Sequence, residues 1–199
     1  MLKTIFGIDP AATQPQSHQL AAIDRQLLVD ILCNAASMMP FTAAEAKIAA
    51  GYMSLRTYRG GEVIIQEGSR IDLDYMLWVL EGEATFEGLT GGGTGQPVTV
   101  SVLGAGSALG IMSMVDGEPR SLRGVASISS RCAMLTRAQL KKLCREQPQV
   151  GIKLMSALCL IFSQSLRSLT TKFKCHVRLN NVLNEELQEL EATSLQSGD

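Results

Sequence analysis

The residues from Leu109 to Ser121, Leu-Gly-Ile-Met-Ser-Met-Val-Asp-Gly-Glu-Pro-Arg-Ser, hold the parts from which an anion receptor can be built. Gly110 has no Cβ and lets the backbone pass close to a ligand. A single helical turn from about Met112 to Val115 would leave N–H groups free at its start, where they favour negative charge. Gly117 and Pro119 then reverse the chain and set Arg120 back across that helix start. A guanidinium beside backbone amides suits one phosphate group. Spacing alone leaves a second reading level with the first: Arg120 pairs with a local carboxylate, Asp116 or Glu118.

Other glycine patterns carry less. Gly104-Ala105-Gly106-Ser107-Ala108-Leu109-Gly110 has the spacing GxGxxxG, and Gly117-Glu118-Pro119 follows within seven residues. No dinucleotide-binding helix of useful length fits there. The glycines of 91–95 lack a following Gly-Lys-Ser/Thr, so a P-loop fails as well. The five cysteines, Cys33, Cys132, Cys144, Cys159 and Cys175, are odd in number, widely spaced and without a CxxC pair. They read as reduced thiols rather than a disulfide framework or zinc site. His18 and His176 have no ligand-like neighbours, so no metal is expected. No paired carboxylates, Ser/His/Asp set or Cys/His pair stands out, and no catalytic residue is assigned.

Elements must position that turn, and the chain is long enough to supply them. Its 199 residues are 46% hydrophobic and 19% charged, with a formal net charge of -1. This is a globular composition without the bulk basic field that drives nucleic-acid or anionic-membrane binding. Asp9 and Pro10 interrupt the start where a signal peptide needs an apolar run. No stretch approaches the roughly 18 uninterrupted apolar residues of a membrane span.

Residues 1–20 read as a flexible tail and 21–53 as N-terminal helices. Ile23, Leu27, Leu28, Ile31 and Leu32 recur at helical spacing up to about Ala36. Thr42-Ala43-Ala44-Glu45 is a capping box, so a short helix to about Tyr52 should follow. From 54 to 147 the texture is of short strands with turn signals, closed by a short helix. Tyr58–Glu62 reads as a tight hairpin, and Val63–Gln66, Leu73–Leu80, Glu83–Glu87, Val98–Leu103, Ser121–Ile128 and Arg131–Leu135 as strands. Gly88–Pro97, with five glycines, reads as a flexible loop. A second capping pattern, Thr136-Arg137-Ala138-Gln139, opens a helix that runs to Gln147 before Pro148.

From 148 to 192 the pattern allows one continuous helix, followed by a tail over 193–199. A seam runs through Met155, Cys159, Phe162, Leu166, Leu169, Phe173, His176, Asn180, Leu183, Leu187 and Leu190 in alternating steps of four and three. Nine of these eleven residues are apolar, the heptad pattern of a coiled coil. Asn180 falls at an a position, where a buried Asn sets register and partner number. Arg167, Lys172, Lys174 and Arg178 precede Glu185, Glu186, Glu189 and Glu191. In a parallel homodimer Glu186 would face the partner's acidic e position, so the last turns either fray or meet a basic protein partner.

The segment Gly110 to Ser121 resembles the phosphate-binding cassette of the cyclic-nucleotide-binding domain family, approximately Phe-Gly-Glu-Leu-Ala-Leu, three variable positions, then Pro-Arg-Ala/Ser. Tyr58–Ile64, Glu67-Gly68, Trp78–Glu83 and Leu103–Gly106 sit where that family's strand and turn residues recur, so the resemblance spans roughly residues 38–175. It implies an α+β fold: a β-roll of the double-stranded β-helix or jelly-roll type, flanked by N-terminal helices and a long C-terminal dimerisation helix. It also implies that Arg120 neutralises a cyclic phosphate, that Ser121 adds a hydroxyl or amide, and that backbone groups around Gly110, Ile111 and Met112 line the pocket.

Ile111 replaces the family's ribose-binding glutamate. A cyclic mononucleotide such as cAMP or cGMP would then leave its 2′-hydroxyl unpaired, a cost of roughly 1–3 kcal/mol. In members resembling catabolite activator protein the dimer helix also touches the base, and Ser165 is the best-placed residue for that contact, with Ser163 and Thr170 as alternatives. Such regulators continue into a helix-turn-helix domain of roughly 50–70 residues. Only 26 residues follow Phe173 here, so direct DNA binding is not expected. The expectation is a cytoplasmic, non-catalytic, dimeric sensor without a membrane segment. Its alternative is a degenerate domain that binds a protein partner and no nucleotide.

Overall fold

The computed structural model describes residues 18–35, 37–71, 73–89 and 97–196. It divides into two units, residues 1–157 and 158–199.

The first unit begins with β1 (His18–Gln19), α1 (Ala22–Asn34) and α2 (Ala43–Ala50). β1 pairs with residues 54–55, so the last residues of the expected tail belong to a sheet; residues 1–17 lie outside the described residues. The capping box at Thr42 forms in full: the Thr42 Oγ1 accepts from the Glu45 N–H, and the Glu45 carboxylate accepts from the Thr42 N–H. Both donors would otherwise be orphaned at the helix start.

Among the described residues, nine strands build two antiparallel sheets. β2 (Ser54–Tyr58), β3 (Val63–Ile65), β4 (Tyr75–Glu81), β5 (Glu83–Leu89), β6 (Pro97–Gly104), β7 (Ala108–Leu109), β8 (Arg123–Ala126) and β9 (Ser130–Thr136) follow β1. One sheet has the order β1-β2-β9-β4-β7 and the other β3-β8-β5-β6. Together they form the expected β-roll of an α+β fold. Tyr58, Ile65, Leu77, Val79, Phe86, Leu109 and Cys132 are buried together in one cluster contributed by both sheets. β4 is buried over five consecutive residues, Met76 to Leu80. A strand covered on both faces needs an unbroken apolar run rather than alternation, and Met-Leu-Trp-Val-Leu is one. Burial pushes the Cys132 thiol up to about 12, which keeps it protonated and unreactive.

One expected element is corrected. Tyr58–Glu62 is a tight turn, with the Glu62 N–H donating to Arg59 O and the Arg59 N–H to the Glu62 carboxylate. It does not close a hairpin. β2 pairs with β9 and β3 with β8, so the turn carries the chain from one sheet to the other. Tyr58 on one side and Ile64 and Ile65 on the other then reach the same core from two sheets. Of the glycine-rich loop, residues 90–96 lie outside the described residues.

A short helix α3 (Ile111–Asp116) interrupts the strands, and α4 (Arg137–Glu146) and α5 (Pro148–Gln196) close the chain. Thr136 caps α4, accepting from the Gln139 N–H, and Pro148 opens α5 at the position where a missing N–H costs nothing. α5 extends past the expected end at 192. Its first turns are tied into the first unit. Lys153 Nζ lies 2.7 Å from Glu45 Oε2, and Ser156 and Ser37 share a hydroxyl contact. Gly151 approaches α4 so closely that a Cβ there would stand 2.9 Å from Cys144 Sγ.

The remainder of α5 forms the second unit. Leu166, Leu169, Phe173, Leu183 and Leu187 are exposed along it, Phe173 by 69%. By length and composition alone, the helix from Pro148 to Gln188 contains an 18-residue window, of mean hydropathy 1.3, that is apolar enough to cross a membrane.

Glu45 yields a pH prediction. The hydrogen bond from Lys153, with those from the Thr42 backbone and hydroxyl, lowers its carboxyl from the ordinary 4.5 to about 2. A folded-state value below the unfolded one stabilises the fold above pH 4.5, and this contribution is lost as pH falls through about 2. Urea unfolding midpoints across that interval should fall more steeply for the native chain than for Glu45→Gln. Parallel slopes would show that this pair contributes nothing.

Candidate functional site

β7 ends at Leu109, and Gly110 turns the chain into α3 from a left-handed conformation, φ 72°. Only glycine adopts this φ without strain, and the position is doubly restricted: a Cβ on Gly110 would stand 2.5 Å from Arg120 Nη1. α3 is one residue longer at each end than the turn expected from spacing. Gly117, at φ 79°, caps it with an N–H that donates to Ser113 O. The chain then returns through Glu118 and Pro119, with the Asp116 Oδ1 accepting from the Glu118 N–H to hold the reversal.

Arg120 is 4% exposed. Its backbone is fixed to the turn before β4: the Gly68 N–H donates to Arg120 O, and the Arg120 N–H to Ser69 O. Its guanidinium reaches across the start of α3, where Nη1 donates to Gly110 O at 2.7 Å and Nη2 to Tyr75 O at 3.0 Å. The guanidinium carbon lies 4.8 Å from the centre of the Tyr75 ring, a cation–π distance. Of the two partners that spacing offered, Asp116 serves the local turn, while Arg120 is seated on backbone carbonyls and an aromatic face.

The site therefore has a cation held at the N-terminal end of α3, next to the amides of Ile111, Met112 and Ser113, which have no acceptor within a helix that starts at Ile111. Positive charge and free N–H groups point the same way, toward an anion. The remaining cassette residues differ in placement. Ile111 is 6% exposed, its side chain in the interior at the first position of α3. Met112 is largely exposed, and Ser121 is exposed just after Arg120. Gly110, Ile111, Met112, Arg120 and Ser121 thus share one turn. The residues assigned to the long helix lie in the second unit: Ser165 and Asn180 are exposed on α5, as are Leu166, Leu169, Phe173, Leu183 and Leu187, and Phe162 is half-buried.

Two residues of the site escape sequence reading. Tyr75 supplies both a carbonyl and a ring to Arg120 from 45 positions away, and nothing local signals it. Arg137 Nε donates to Met114 O at 2.7 Å and Nη2 to Ser113 O at 2.9 Å, closing the other end of α3. This one left a trace. A cation in the first turn of a helix opposes the helix dipole, and α4 has no acidic residue there to offset it. Such a placement indicates a use outside its own helix.

Residues 55–147 match the family model of the cyclic nucleotide-binding domain. Among solved structures, a cyclic nucleotide-binding domain from Methylobacillus flagellatus is 27% identical, with 77% of this chain and 84% of that one covered at a TM-score of 0.69. The catabolite activator protein of Thermus thermophilus is 26% identical over 66% of this chain and 60% of that one, at a TM-score of 0.55. The regulatory domain of Toxoplasma gondii PKA, solved with cAMP, is 24% identical over 68% and 49% at a TM-score of 0.54, and shares the fold. No curated protein matches the chain.

The two glycines bounding α3 give a paired prediction. Gly110→Ala meets both the left-handed backbone and the Arg120 guanidinium, and should cost about 1–3 kcal/mol or more by urea unfolding. Gly117→Ala has a similar φ, but its Cβ would stand at an ordinary 3.7 Å from Arg137 Nη2, so only the backbone cost, about 1 kcal/mol, is expected. Equal losses at both positions would mean that Arg120 does not restrict Gly110.

Proposed function

We propose, from the premise that residues 55–147 form a cyclic nucleotide-binding domain resembling the sensor half of catabolite activator protein, that the chain is a non-catalytic regulatory sensor. Its ligand carries a phosphate of the cyclic-nucleotide type. The carrying observation is Arg120, buried and held 2.7 Å from Gly110 O at the amide-rich start of α3. A buried guanidinium beside the first amides of a helix offers charge and N–H donors to a single phosphate group. Ser121 and the amides from Ile111 to Ser113 complete the receptor.

The exposed stripe on α5 supports a second copy as partner. Leucines and Phe173 at steps of three and four, open to solvent, are what a coiled-coil seam presents before it closes. On this reading the apolar stretch of α5 packs against its counterpart rather than lipid, the module is a cytoplasmic homodimer, and the acidic residues from Glu185 onward meet a basic protein partner.

One observation favours another reading. Ile111 is buried where a ribose acceptor would stand, and an interior isoleucine stabilises the fold without any nucleotide. A module of this kind would act through α5 alone, by binding proteins.

Calorimetric titration with cAMP and cGMP separates the two. Saturable binding that Arg120→Ala abolishes supports the sensor; absence of heat at millimolar ligand supports the interaction module. Ile111→Glu should tighten cyclic mononucleotide binding by about ten- to hundredfold while lowering the stability of the ligand-free protein, since it buries a carboxylate that only the ligand hydroxyl satisfies. Sedimentation should report a dimer that Leu169→Asp disrupts, and a monomer at high concentration would remove the seam.

A further inference from the structure

We propose that the apolar stripe of α5 is covered by the same stripe of a second copy running antiparallel, with the twofold axis at the level of Arg178. This rests on the dimer reading above and adds the partner's direction and register. Leu169, Phe173, Val177, Leu179, Leu183 and Leu187 are all exposed along the helix. His176 and Asn180, both polar and exposed, take consecutive seam positions in the middle of that stretch. Charge changes sign across the same point: Arg167, Lys172, Lys174 and Arg178 precede Asn180, whereas Glu185 and Glu186 follow it. A parallel pair sets each half against its own kind. Reversing one helix sets the basic half of each copy against the acidic half of the other.

The heptad positions fix the register. In a parallel pair each g position meets an e position of the next heptad. Lys172 would then face the partner's Val177, Leu179 the partner's Asn184, and Glu186 an acidic residue, so all three flanks are mismatched. When one helix is reversed, a faces d, g faces g and e faces e. Centred at Arg178, this sets Phe173 opposite the partner's Leu183, Leu169 opposite the partner's Leu187, and His176 opposite the partner's Asn180. The twofold axis makes each pair twice. The two polar seam residues thus meet each other, and an imidazole and a carboxamide can each donate and accept. On the flanks Lys172 meets the partner's Glu186, while Leu179 and Val177 each meet their own counterpart. Those two exposed side chains lie beside the seam, and a parallel pair offers neither an apolar partner. Sliding one copy by a heptad sets His176 against Phe173 or Leu187, and Asn180 against Leu169 or Leu183. Either shift buries polar groups against apolar ones, at a cost in desolvation.

Distances between spin labels test the direction on the full chain. Cys33, Cys144, Cys159 and Cys175, the cysteines that are not buried, are replaced by serine. Labels go on Ser168→Cys in one sample and on Gln188→Cys in another. In the antiparallel pair the two labels of each sample stand about 20 residues, or about 30 Å, apart along the axis. A parallel pair holds them at one level, separated only by its width. Charge exchange gives a second measurement on surface positions that leave the fold of the first unit untouched. Glu186→Lys should weaken the dimer by about three- to tenfold at low salt, and adding Lys172→Glu should restore it. In a parallel pair Glu186→Lys relieves an acidic contact and tightens the dimer instead. Short distances in both samples, or tightening by Glu186→Lys, overturn the antiparallel pair and leave the dimer reading in place. A chain that sediments as a monomer, including one that floats with anionic phospholipid vesicles, overturns both.

Discussion

A guanidinium taken out of water must be satisfied from every side, and much of the first unit is arranged around that requirement at Arg120. Its donors go to the carbonyls of Gly110 and Tyr75, its face lies against the Tyr75 ring, and its backbone is pinned to Gly68 and Ser69. These contacts join the turn before β4, the first residue of β4 and the entry to α3, which are far apart in the chain. The left-handed conformation at Gly110 follows from the same constraint, since a side chain there would occupy the space the guanidinium needs. One cation thus decides where α3 begins and how closely the loops above the roll approach one another.

The roll beneath supplies the rigidity that this arrangement needs. β4 is buried over Met76 to Leu80 and carries the half-buried Tyr75 at its beginning, so the ring and carbonyl that receive Arg120 are fixed by a well-packed strand. α3, with only six residues, depends on tertiary contacts for its stability. Its carbonyl end is tied to Arg137 and its amide end lies beside Arg120.

α5 obeys a different constraint. Its root, to Ala157, is fixed by Lys153 on Glu45 and by the contact of Gly151 with Cys144, interactions that depend on burial and close approach. Beyond that point the apolar residues keep a heptad spacing with solvent around them. Helices of this composition gain little from propensity alone and owe their stability to a covered apolar face. The contacts around Arg120, by contrast, are all made within one chain.

Periodicity and turn chemistry made much of this protein legible in its sequence. The capping box at Thr42, the side-chain cap at Thr136, the strands from Val63 to Leu135, the long helix after Pro148 and the turn from Gly110 to Arg120 all arise from local patterns, and local hydrogen bonding and side-chain spacing enforce them. The sequence also determined that Ile111 cannot accept a hydrogen bond. What it could not determine were pairings between distant segments. Tyr58–Glu62 has every local mark of a hairpin, yet it links two sheets because Ile64 and Ile65 gain more by facing Tyr58 across the roll than by pairing beside it. Two-residue strands such as β7 are too short to have a period. The partners of Arg120 were likewise decided by the fold: Asp116 is near in sequence, but Tyr75 is the residue that the packing of β4 brings beneath the guanidinium. Backbone carbonyls are identical at every position, so no pattern of residue types reveals which of them an arginine will reach. Only the tertiary structure decides that.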